Sequence, residues 1–405
     1  MDQQLSFLKE IKNEIGSDFP SRFMCDIEKQ FEESAGLRKL IKDTDLVSKE
    51  DLLNVADSML IGDEPMDRLV EWMFDNGFRE NKALFDQAAS QGIATIENPP
   101  KLMLDFFELV ENTPDWVSDE LNDLGAECIS MTGTLGSWIL RDISLAGGYR
   151  LSAVNQTLLE TGALAKGAGK RLSETAKWWL SATRIGAMKK FAKGYVDTLQ
   201  VRFIHSMVRR NIAKKETWDA SVYGLPINQS DMCITYHGFT IVYLIGVQVL
   251  GVPLTSEQKK SLLELWRYIS WLMGVDERFL SVDEETLARD LYVHGLTQQG
   301  ANETSKILAG ALKDEPLEIN YGRFNFIRKY WYREVHLSIT RAFVGKKGML
   351  SLGLPPRSSW YLMLTTIPRY VVLRSIGSFD KGRKYLVKRG GQNQIQSGLQ
   401  LDARK

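Results

Sequence analysis

The chain has 405 residues, 44% of them hydrophobic and 25% charged, so it can bury a large core, and extensive disorder is excluded. Its acidic and basic residues cancel, but residues 1–130 carry 29 acidic and 12 basic side chains, which leaves the rest of the chain basic. The basic part could hold an anionic ligand, or the polarity could be surface patterning alone. The three cysteines lie far apart without a C-x-x-C pair, which excludes a disulfide framework and a zinc knuckle.

Hydrophobic residues recur at helical spacing along most of the sequence, and strand signals are scarce. The clearest examples are DRLVEWMFD, LDFFELVEN, TAKWWLSATRIGAMKKFA, VDTLQVRFIHSMVRRNI and SLLELWRYISWLMGVD. Asn98-Pro99-Pro100 breaks the pattern, and Thr255-Ser256-Glu257 begins a further helix. The apolar stretch 239–253 is shorter than the roughly 20 residues of a membrane span, so it predicts a buried core helix. The fold is therefore predicted to be all-α.

We expect a single large helical domain with extra helices at both ends. Residues 1–45 are predicted to form an accessory helical arm, 46–310 the core, 311–380 a further helical region and 381–405 a flexible basic tail. The tail could contact anionic lipid at a membrane surface or stay solvated, and we expect no nucleic-acid partner. The N-terminus carries acidic residues and no long apolar stretch, so we expect no export signal and a cytoplasmic protein.

The glycine-rich stretch GALAKGAGKRLSET, residues 162–175, is similar to a phosphate-binding loop in composition only. A P-loop needs a Gly five positions before its second Gly and a Ser or Thr after its Lys, and these positions hold Leu164 and Arg171. The preceding residues have helical spacing rather than strand spacing, so a nucleotide site is excluded. The stretch instead predicts a turn that opens a helix with Arg171, Glu174 and Thr175 on one face. An ordinary ion pair between Arg171 and Glu174 would explain that face without any function.

His205 lies on a predicted helix with Val201 and Val208 on its apolar face, and with Arg202 and Arg209 one turn before and after it. A haem needs such a set: a neutral imidazole for iron, apolar surface for the macrocycle and cations for the propionates. A core histidine beside two solvated arginines fits the same spacing. The sequence contains no H-E-x-x-H or H-x-D pair, so a locally encoded non-haem metal site is not predicted.

Six segments together resemble the rubber oxygenase catalytic domain family, which includes the latex clearing proteins and an endoplasmic-reticulum oxygenase of mycophenolic acid biosynthesis. They are GDEPMDRLVEWM (62–73), TPDWVSDEL (113–121), RLSET (171–175), VRFIHSMVRRNI (201–212), WDASVYGLPINQSDM (218–232) and LWRYISWLMGVD (265–276). The spacing between the R-x-x-x-T and R-x-x-H elements is also similar to the family's. The resemblance covers about residues 60–285.

The resemblance implies an all-α fold with a globin-like core that binds haem b, with His205 as the iron ligand and Arg171 and Thr175 on the distal side. The latex clearing proteins carry a Lys just before that Thr, where this sequence has Glu174. A carboxylate binds ferrous iron less readily than an amine does, so we do not expect an iron site closed by that residue. The family's catalytic acid lies further upstream, where the nearest carboxylate is Glu160, so Glu160 and Glu174 are both candidates for the base.

The resemblance therefore predicts a haem b-dependent oxygenase that uses dioxygen to cleave a C=C bond of a hydrophobic small molecule, such as an intracellular isoprenoid or unsaturated lipid. Arg171 and Thr175 would stabilise developing negative charge, and Glu174 would transfer a proton, provided that burial raises its pKa. With peroxide as the oxidant, Arg171 and Glu174 would make the protein a haem peroxidase or peroxygenase. A haem or oxygen sensor without turnover, or a helical scaffold that has lost the cofactor, would also be consistent with these residues.

Trp178, Trp179 and the apolar 239–252 helix are predicted to line the entry of the substrate. Two further residues are expected to be structural. Asp231 is predicted to cap a helix, and Trp266 is predicted to lie in the core.

Overall fold

The structure is a computed structural model that describes residues 2–38, 41, 47–162 and 168–402, without the side chains of residues 2, 168–171 and 399–402. Within these residues the chain forms helices joined by short loops and contains no strand, which confirms the predicted all-α fold. The α-helices, numbered in chain order, are α1 (Asp2–Ile15), α2 (Ile27–Glu33), α3 (Ala35–Arg38), α4 (Lys49–Ser58), α5 (Glu64–Asp75), α6 (Phe78–Gln91), α7 (Lys101–Glu111), α8 (Asp119–Met131), α9 (Thr134–Ile139), α10 (Ala146–Gly148), α11 (Ser152–Glu160), α12 (Ala168–Ala182), α13 (Lys193–Ala213), α14 (Ala220–Tyr223), α15 (Gln229–Phe239), α16 (Ile241–Val249), α17 (Ser256–Leu272), α18 (Glu284–Thr297), α19 (Glu303–Asp314), α20 (Asn325–Ser351), α21 (Trp360–Gly377) and α22 (Asp380–Asp402). A π-helical turn, Leu140–Leu145, joins α9 to α10.

Capping residues set the start of several helices. Helix α17 begins with a capping box, in which Thr255 accepts a hydrogen bond from the backbone of Gln258 and the Gln258 side chain accepts one in return. Helix α15 is capped by Asn228, whose side-chain oxygen accepts from the backbone N–H of Asp231 at 3.0 Å. The predicted cap at Asp231 is thereby corrected, because the Asp231 carboxylate accepts a hydrogen bond from the buried Arg22 side chain at 2.9 Å.

Helix α13 packs against α5, α6, α12 and α17. Helix α17 packs closely on α8 as well. A Cβ atom at Gly125 of α8 would lie 2.5 Å from the carbonyl oxygen of Ser261, so only glycine allows the two backbones to come this close. These helices form the frame that holds α13 and the residues on it.

The N-terminal helices share the main hydrophobic core with the rest of the chain. Leu8, Met24 and Phe31 are each at most 4% exposed and belong to the same buried cluster as Phe203 of α13. The described part of the predicted accessory arm is thus packed into the core rather than laid over it.

The C-terminal segment is a packed helix, and not the flexible basic tail expected from its charge. Helix α22 lies against α8 and α12. Gln394, 1% exposed, donates to the backbone oxygen of Ile129 at 2.7 Å and accepts from Arg184 at 2.8 Å. The physical reason is the pair Gly390 and Gly391, because a Cβ at Gly390 would collide with the backbone of Ser130.

The segment Gln229–Val249 is long and apolar enough to cross a membrane, and 61% of its most apolar window is buried inside the fold. Core helices of globular proteins share this composition. Leu244 and Val247 are fully buried, as predicted for a core helix in this part of the chain.

Candidate active site

His205 lies on α13 and is half-buried. Its Nδ1 atom is buried, and neither ring nitrogen has a hydrogen-bond partner within the part of the chain that the structure describes. Burial, followed by the nearby charge of Arg209, lowers the pKa of His205 to about 4. The imidazole is therefore neutral near neutral pH, which is the form that binds a metal ion.

An accessible apolar strip surrounds this imidazole. Val201 and Val208, one turn before and after His205, are partly buried, and the adjacent Ile204 is 53% exposed. Such exposure of aliphatic side chains beside an unpaired ring nitrogen is unusual for a core histidine, whose polar atoms normally find partners. The strip therefore offers a flat apolar ligand a surface centred on His205.

Arg202 is fixed by the start of α5. Its Nε and Nη2 atoms donate to the two carboxylate oxygens of Asp63 at 2.6 and 2.7 Å, and its Nη1 atom donates to the backbone oxygen of Leu272 at 3.2 Å. Arg202 and Asp63 are 5% and 4% exposed. The bidentate geometry makes this a strong, specific link between α13 and α5.

Arg209 is fixed in a similar way. It donates to the backbone oxygens of Ile227 and Pro226 at 2.8 and 3.2 Å and pairs with Asp67. The role of Arg202 and Arg209 in holding haem propionates stays a prediction, since both guanidinium groups already pair with carboxylates of this chain, Asp63, which is buried, and Asp67, which is partly exposed. A propionate would have to replace one of those carboxylates, at the cost of a buried unpaired charge. With their present partners, the two arginines fix α13 in place.

Helices α12 and α13 run antiparallel beside His205. Ser181 pairs with Asp197, and Trp178 donates from Nε1 to Thr198 at 3.2 Å. Since both helices rise by the same amount per residue, this register sets the backbone of Arg171 at about the level of His205.

The three predicted distal residues lie on this helix. The Arg171 side chain is outside the described residues, while Glu174 and Thr175 are exposed. The structure therefore does not provide the burial that the prediction requires for Glu174 to become a base near neutral pH.

Glu160 is bound to the far end of α13. Its carboxylate accepts from Thr217 at 2.8 Å and from Gln156 at 3.3 Å, and it lies 3.4 Å from the Lys215 ammonium. Helix α13 ends eight residues after His205, which corresponds to about 12 Å along its axis. Glu160 is thus held away from the level of His205, as an anchor for the loop after α13.

The tryptophans of the predicted entry route are packed against other aromatic side chains. Trp179 is 1% exposed, and Trp178 packs edge-on against Phe239 and Trp266. The Phe239 and Trp266 rings stack with centroids 4.4 Å apart. The prediction of Trp266 as a core residue is confirmed, since it is also 1% exposed, and Trp178 and Trp179 form part of the same core.

A separate cleft of about 300 Å³ lies beside the Arg202–Asp63 pair. Its lining includes Glu64, Asp276 and Glu277, and does not include His205. An acidic rim suits a polar ligand better than an apolar one, so this cleft is a poor site for a hydrophobic substrate.

The residues around His205 fit the iron and the macrocycle of a haem, but not its propionates. His205 offers a neutral imidazole with no competing hydrogen bond from the described residues, and Val201, Ile204 and Val208 offer apolar contact to a macrocycle. The propionates have no assigned cation, because Arg202 and Arg209 are already paired.

The sequence analysis did not predict one buried cluster of side chains that could hold a metal ion. Cys233, His237 and His294 each offer one ligand atom, and these atoms lie within 4.8 Å of one another. Cys233 and His237 are four residues apart on α15 and so share one face, which is a signal that the sequence does contain. His294 comes from α18, and only the tertiary fold brings it to them.

The sequence matches the family described as ER-bound oxygenase mpaB/B'/Rubber oxygenase, catalytic domain, over residues 138–371. This region includes His205 and α12, but segments 62–73 and 113–121 of the expected resemblance lie before it. No curated protein is similar enough to this sequence to match it. The fold is similar to the structure of latex clearing protein LCP in the closed state, with a TM-score of 0.57 and 15% identity, over 84% of this chain and 91% of that one. Since the family match spans more than half of its residues, the chain belongs to the family of mpaB-type ER-bound oxygenases and rubber oxygenases.

Proposed function

We propose that this protein is a haem b-dependent oxygenase that uses dioxygen to cleave a C=C bond of a hydrophobic small molecule. The observation that carries the proposal is His205, a neutral imidazole set in a half-exposed apolar strip of α13, with no hydrogen-bond partner among the described residues. It lies inside the region that matches an oxygenase family. A bound haem would supply the iron that activates dioxygen.

The chain's own residues would bind, orient and exchange protons around that group. His205 would hold the iron, and Val201, Ile204 and Val208 would contact the macrocycle. Thr175, on the helix that faces α13, has an exposed hydroxyl that can donate a hydrogen bond to developing negative charge.

Glu174 would act differently from the buried base that the sequence predicted. An exposed carboxylate is solvated and exchanges protons rapidly with water, so it suits proton delivery from solvent. Arg171 stays a proposed hydrogen-bond donor on the strength of its position on α12 at the level of His205.

The substrate class is proposed from the similar proteins, because the latex clearing protein and the rubber oxygenases are named for polyisoprene materials. An isoprenoid or an unsaturated lipid is the small molecule that combines an apolar body with an electron-rich C=C bond.

The test is the ultraviolet-visible spectrum of the purified full chain, supplied with haem, beside His205→Ala and His336→Gln variants. His336 is the matched control, because it is a buried histidine paired with Asp142 in another part of the fold. We expect a Soret band in the wild type and in the control, and its loss or shift in His205→Ala. A wild type without a Soret band after haem supplementation, or an unchanged spectrum in His205→Ala, would overturn the proposal.

The oxidant is decided by a second measurement on the haem-loaded protein. Isoprenoid and unsaturated-lipid substrates are incubated with dioxygen or with hydrogen peroxide, and the carbonyl products are identified. Cleavage with dioxygen alone supports the oxygenase. Turnover with peroxide only would identify a peroxidase or peroxygenase, and a Soret band without any product would identify a sensor.

We further propose that a membrane surface containing anionic lipid is a partner of this protein. An apolar stripe on α21 faces outward, formed by Met363, Ile367 and Val371, which are 78%, 73% and 56% exposed. On α20, Phe326 and Trp331 are 70% and 54% exposed. Exposed cations follow the stripe, namely Arg374, Lys381, Arg383 and Lys384. Apolar and aromatic side chains next to basic ones are the pattern of interfacial membrane binding.

A further inference from the structure

Cys233, His237 and His294 form a closed cluster between α15 and α18. Cys233 and His237 are 0% exposed, and His294 is 2% exposed. The Cys233 Sγ atom lies 3.3 Å from the His237 Nε2 atom, and the His237 and His294 ring centroids are 5.6 Å apart. Two adjacent helices thus bring one sulfur and two imidazoles to a single point.

The Nε2 atom of His294 presents an unpaired lone pair to this cluster. Its Nδ1 atom is 2.9 Å from the backbone oxygen of Asp290, and because a carbonyl only accepts hydrogen bonds, Nδ1 must carry the proton. The Nε2 atom is then unprotonated, and it is buried without a hydrogen-bond partner within the described ranges. A backbone carbonyl that holds one ring N–H, with the other nitrogen free, is the usual arrangement around a metal-binding histidine.

His237 is also incompletely paired. Its Nε2 atom contacts Cys233, while its Nδ1 atom is buried and has no partner among the residues that the structure describes. Burial, with a smaller effect of His294, lowers the pKa of His237 well below its usual value. Buried polar atoms normally find partners, so an unpaired nitrogen on each of two adjacent rings points to a missing ligand.

We propose that Cys233, His237 and His294 bind one d10 cation, Zn²⁺ or Cu⁺. A thiolate with two imidazoles is a soft to borderline ligand set that suits these ions and not Mg²⁺ or Ca²⁺, which take oxygen ligands. Ligand atoms at about 2.0–2.3 Å from a shared ion lie roughly 3.5–4 Å apart, so a spread within 4.8 Å needs only small side-chain adjustments. Binding replaces the thiol proton of Cys233 by the metal ion, releases that proton to solvent and involves no redox change.

The surroundings favour a cation at this point. Burial raises the pKa of the Cys233 thiol well above its usual value, and the charges of Asp290 and Asp276 add to that increase. The same negative charges attract a metal ion. One thiolate neutralises Cu⁺ fully but leaves one positive charge on Zn²⁺, so a buried site without a further ligand favours Cu⁺.

An ion here would link α15 to α18. Helix α15 begins directly after the loop whose backbone oxygens, from Pro226 and Ile227, hold Arg209 of α13. The ion would therefore stabilise the loop that fixes α13, without any contact with His205.

The experiment measures metal uptake by the full chain and does not depend on haem. Purified protein is stripped with a chelator, then titrated with Zn²⁺ or, under reducing and anaerobic conditions, with Cu⁺, and bound metal is counted by mass spectrometry together with iron. Co²⁺ serves as a spectroscopic probe, since a thiolate ligand gives it a charge-transfer band. We expect one equivalent of Zn²⁺ or Cu⁺ per chain and a higher Tm in its presence.

Two ligand variants and two controls identify the site. Cys233→Ser and His294→Gln should weaken binding by more than about 100-fold and lose the cobalt band. Cys25→Ser and His336→Gln, which change a cysteine and a histidine outside the cluster, should bind as the wild type does. Equal uptake in all variants, or a wild type that takes up neither ion and gains no Tm, would overturn the proposal even if a ligand variant fails to fold.

Discussion

Arg202 of α13 and Asp63 at the start of α5 form a bidentate ion pair, with N–O distances of 2.6 and 2.7 Å. Both side chains are almost fully buried. Removal of one partner leaves a buried charge without compensation, which costs far more than the pair itself contributes. The pair thus makes the position of His205, three residues after Arg202, depend on a carboxylate about 140 residues away in sequence.

The first prediction concerns this pair. Asp63→Ala should lower the free energy of unfolding by about 3–5 kcal/mol, measured by urea unfolding followed by circular dichroism. The control is Glu71→Ala, which removes the partner of Arg210 on the same two helices, where the Glu71 side chain is 47% exposed. That change should cost less than about 1 kcal/mol. Equal losses in the two variants would show that burial does not decide the strength of these pairs.

The second prediction concerns the contact between α8 and α17. Gly125→Ala places a Cβ 2.5 Å from the Ser261 carbonyl oxygen, so the helices must separate, and we expect a loss of about 1–3 kcal/mol in unfolding free energy. Gly310→Ala on α19 is the matched control, because a Cβ there meets no atom within 4 Å. It should stabilise the protein by roughly 0.5–1 kcal/mol. A neutral Gly125→Ala would mean that this approach is not required for packing.

The extent to which the sequence predicted the fold follows from the range of each signal. Helical periodicity and caps are local, and they correctly predicted the all-α fold and the helix that begins at Thr255-Ser256-Glu257. Partners far apart in sequence left no local signal. The pairing of Arg202 with Asp63 and of Arg209 with Asp67 therefore could not be foreseen, and neither could the close contact at Gly390 that packs the expected tail as a helix.

The candidate site shows the same division. The spacing of α13 predicted an apolar face around His205, because neighbours one turn apart share a face of a helix. Exposure depends on the whole fold, which is why Glu174 is solvated while Trp178 is packed. Cys233 and His237 were recognisable as a pair on one face, but His294 was not.

The third prediction is a loss of stability in acid. Burial lowers the pKa of His294 to about 4, whereas an unfolded histidine titrates near 6.5. Below about pH 6.5, His294 binds a proton in the unfolded chain but not in the folded chain. The free energy of unfolding therefore falls as the pH drops toward 4. His205, with its pKa at about 4, acts in the same direction. Asp290 opposes them, because burial raises its pKa to about 6 and its contribution to stability is lost as the pH rises through that value.

Urea unfolding at pH 7 and pH 5, with a chelator present, measures whether the free energy of unfolding falls in acid. We expect the wild type to be less stable at pH 5, with His294 responsible for on the order of 2 kcal/mol of the difference. His294→Gln, which cannot titrate, should reduce the difference by about that amount. The same pH difference in the variant and the wild type would show that His294 titrates normally in the folded protein.

The last prediction separates two surfaces that could contact a membrane, the apolar stripe of α21 and the basic helix α22. The double change Met363→Asp with Ile367→Asp should lower affinity for vesicles of phosphatidylcholine and phosphatidylserine by at least about 10-fold, because each buried aliphatic side chain contributes roughly 1.5–3 kcal/mol. Leu109→Asp, on α7 at 45% exposure, is the control for a charge added to another face and should bind as the wild type does.

Co-sedimentation with vesicles at two salt concentrations measures how much of the affinity is electrostatic, since attraction between exposed cations and anionic lipid is screened by salt. If Lys388→Ala with Arg389→Ala on α22 abolishes binding while the α21 variant retains it, the basic helix and not the apolar stripe is the contact surface.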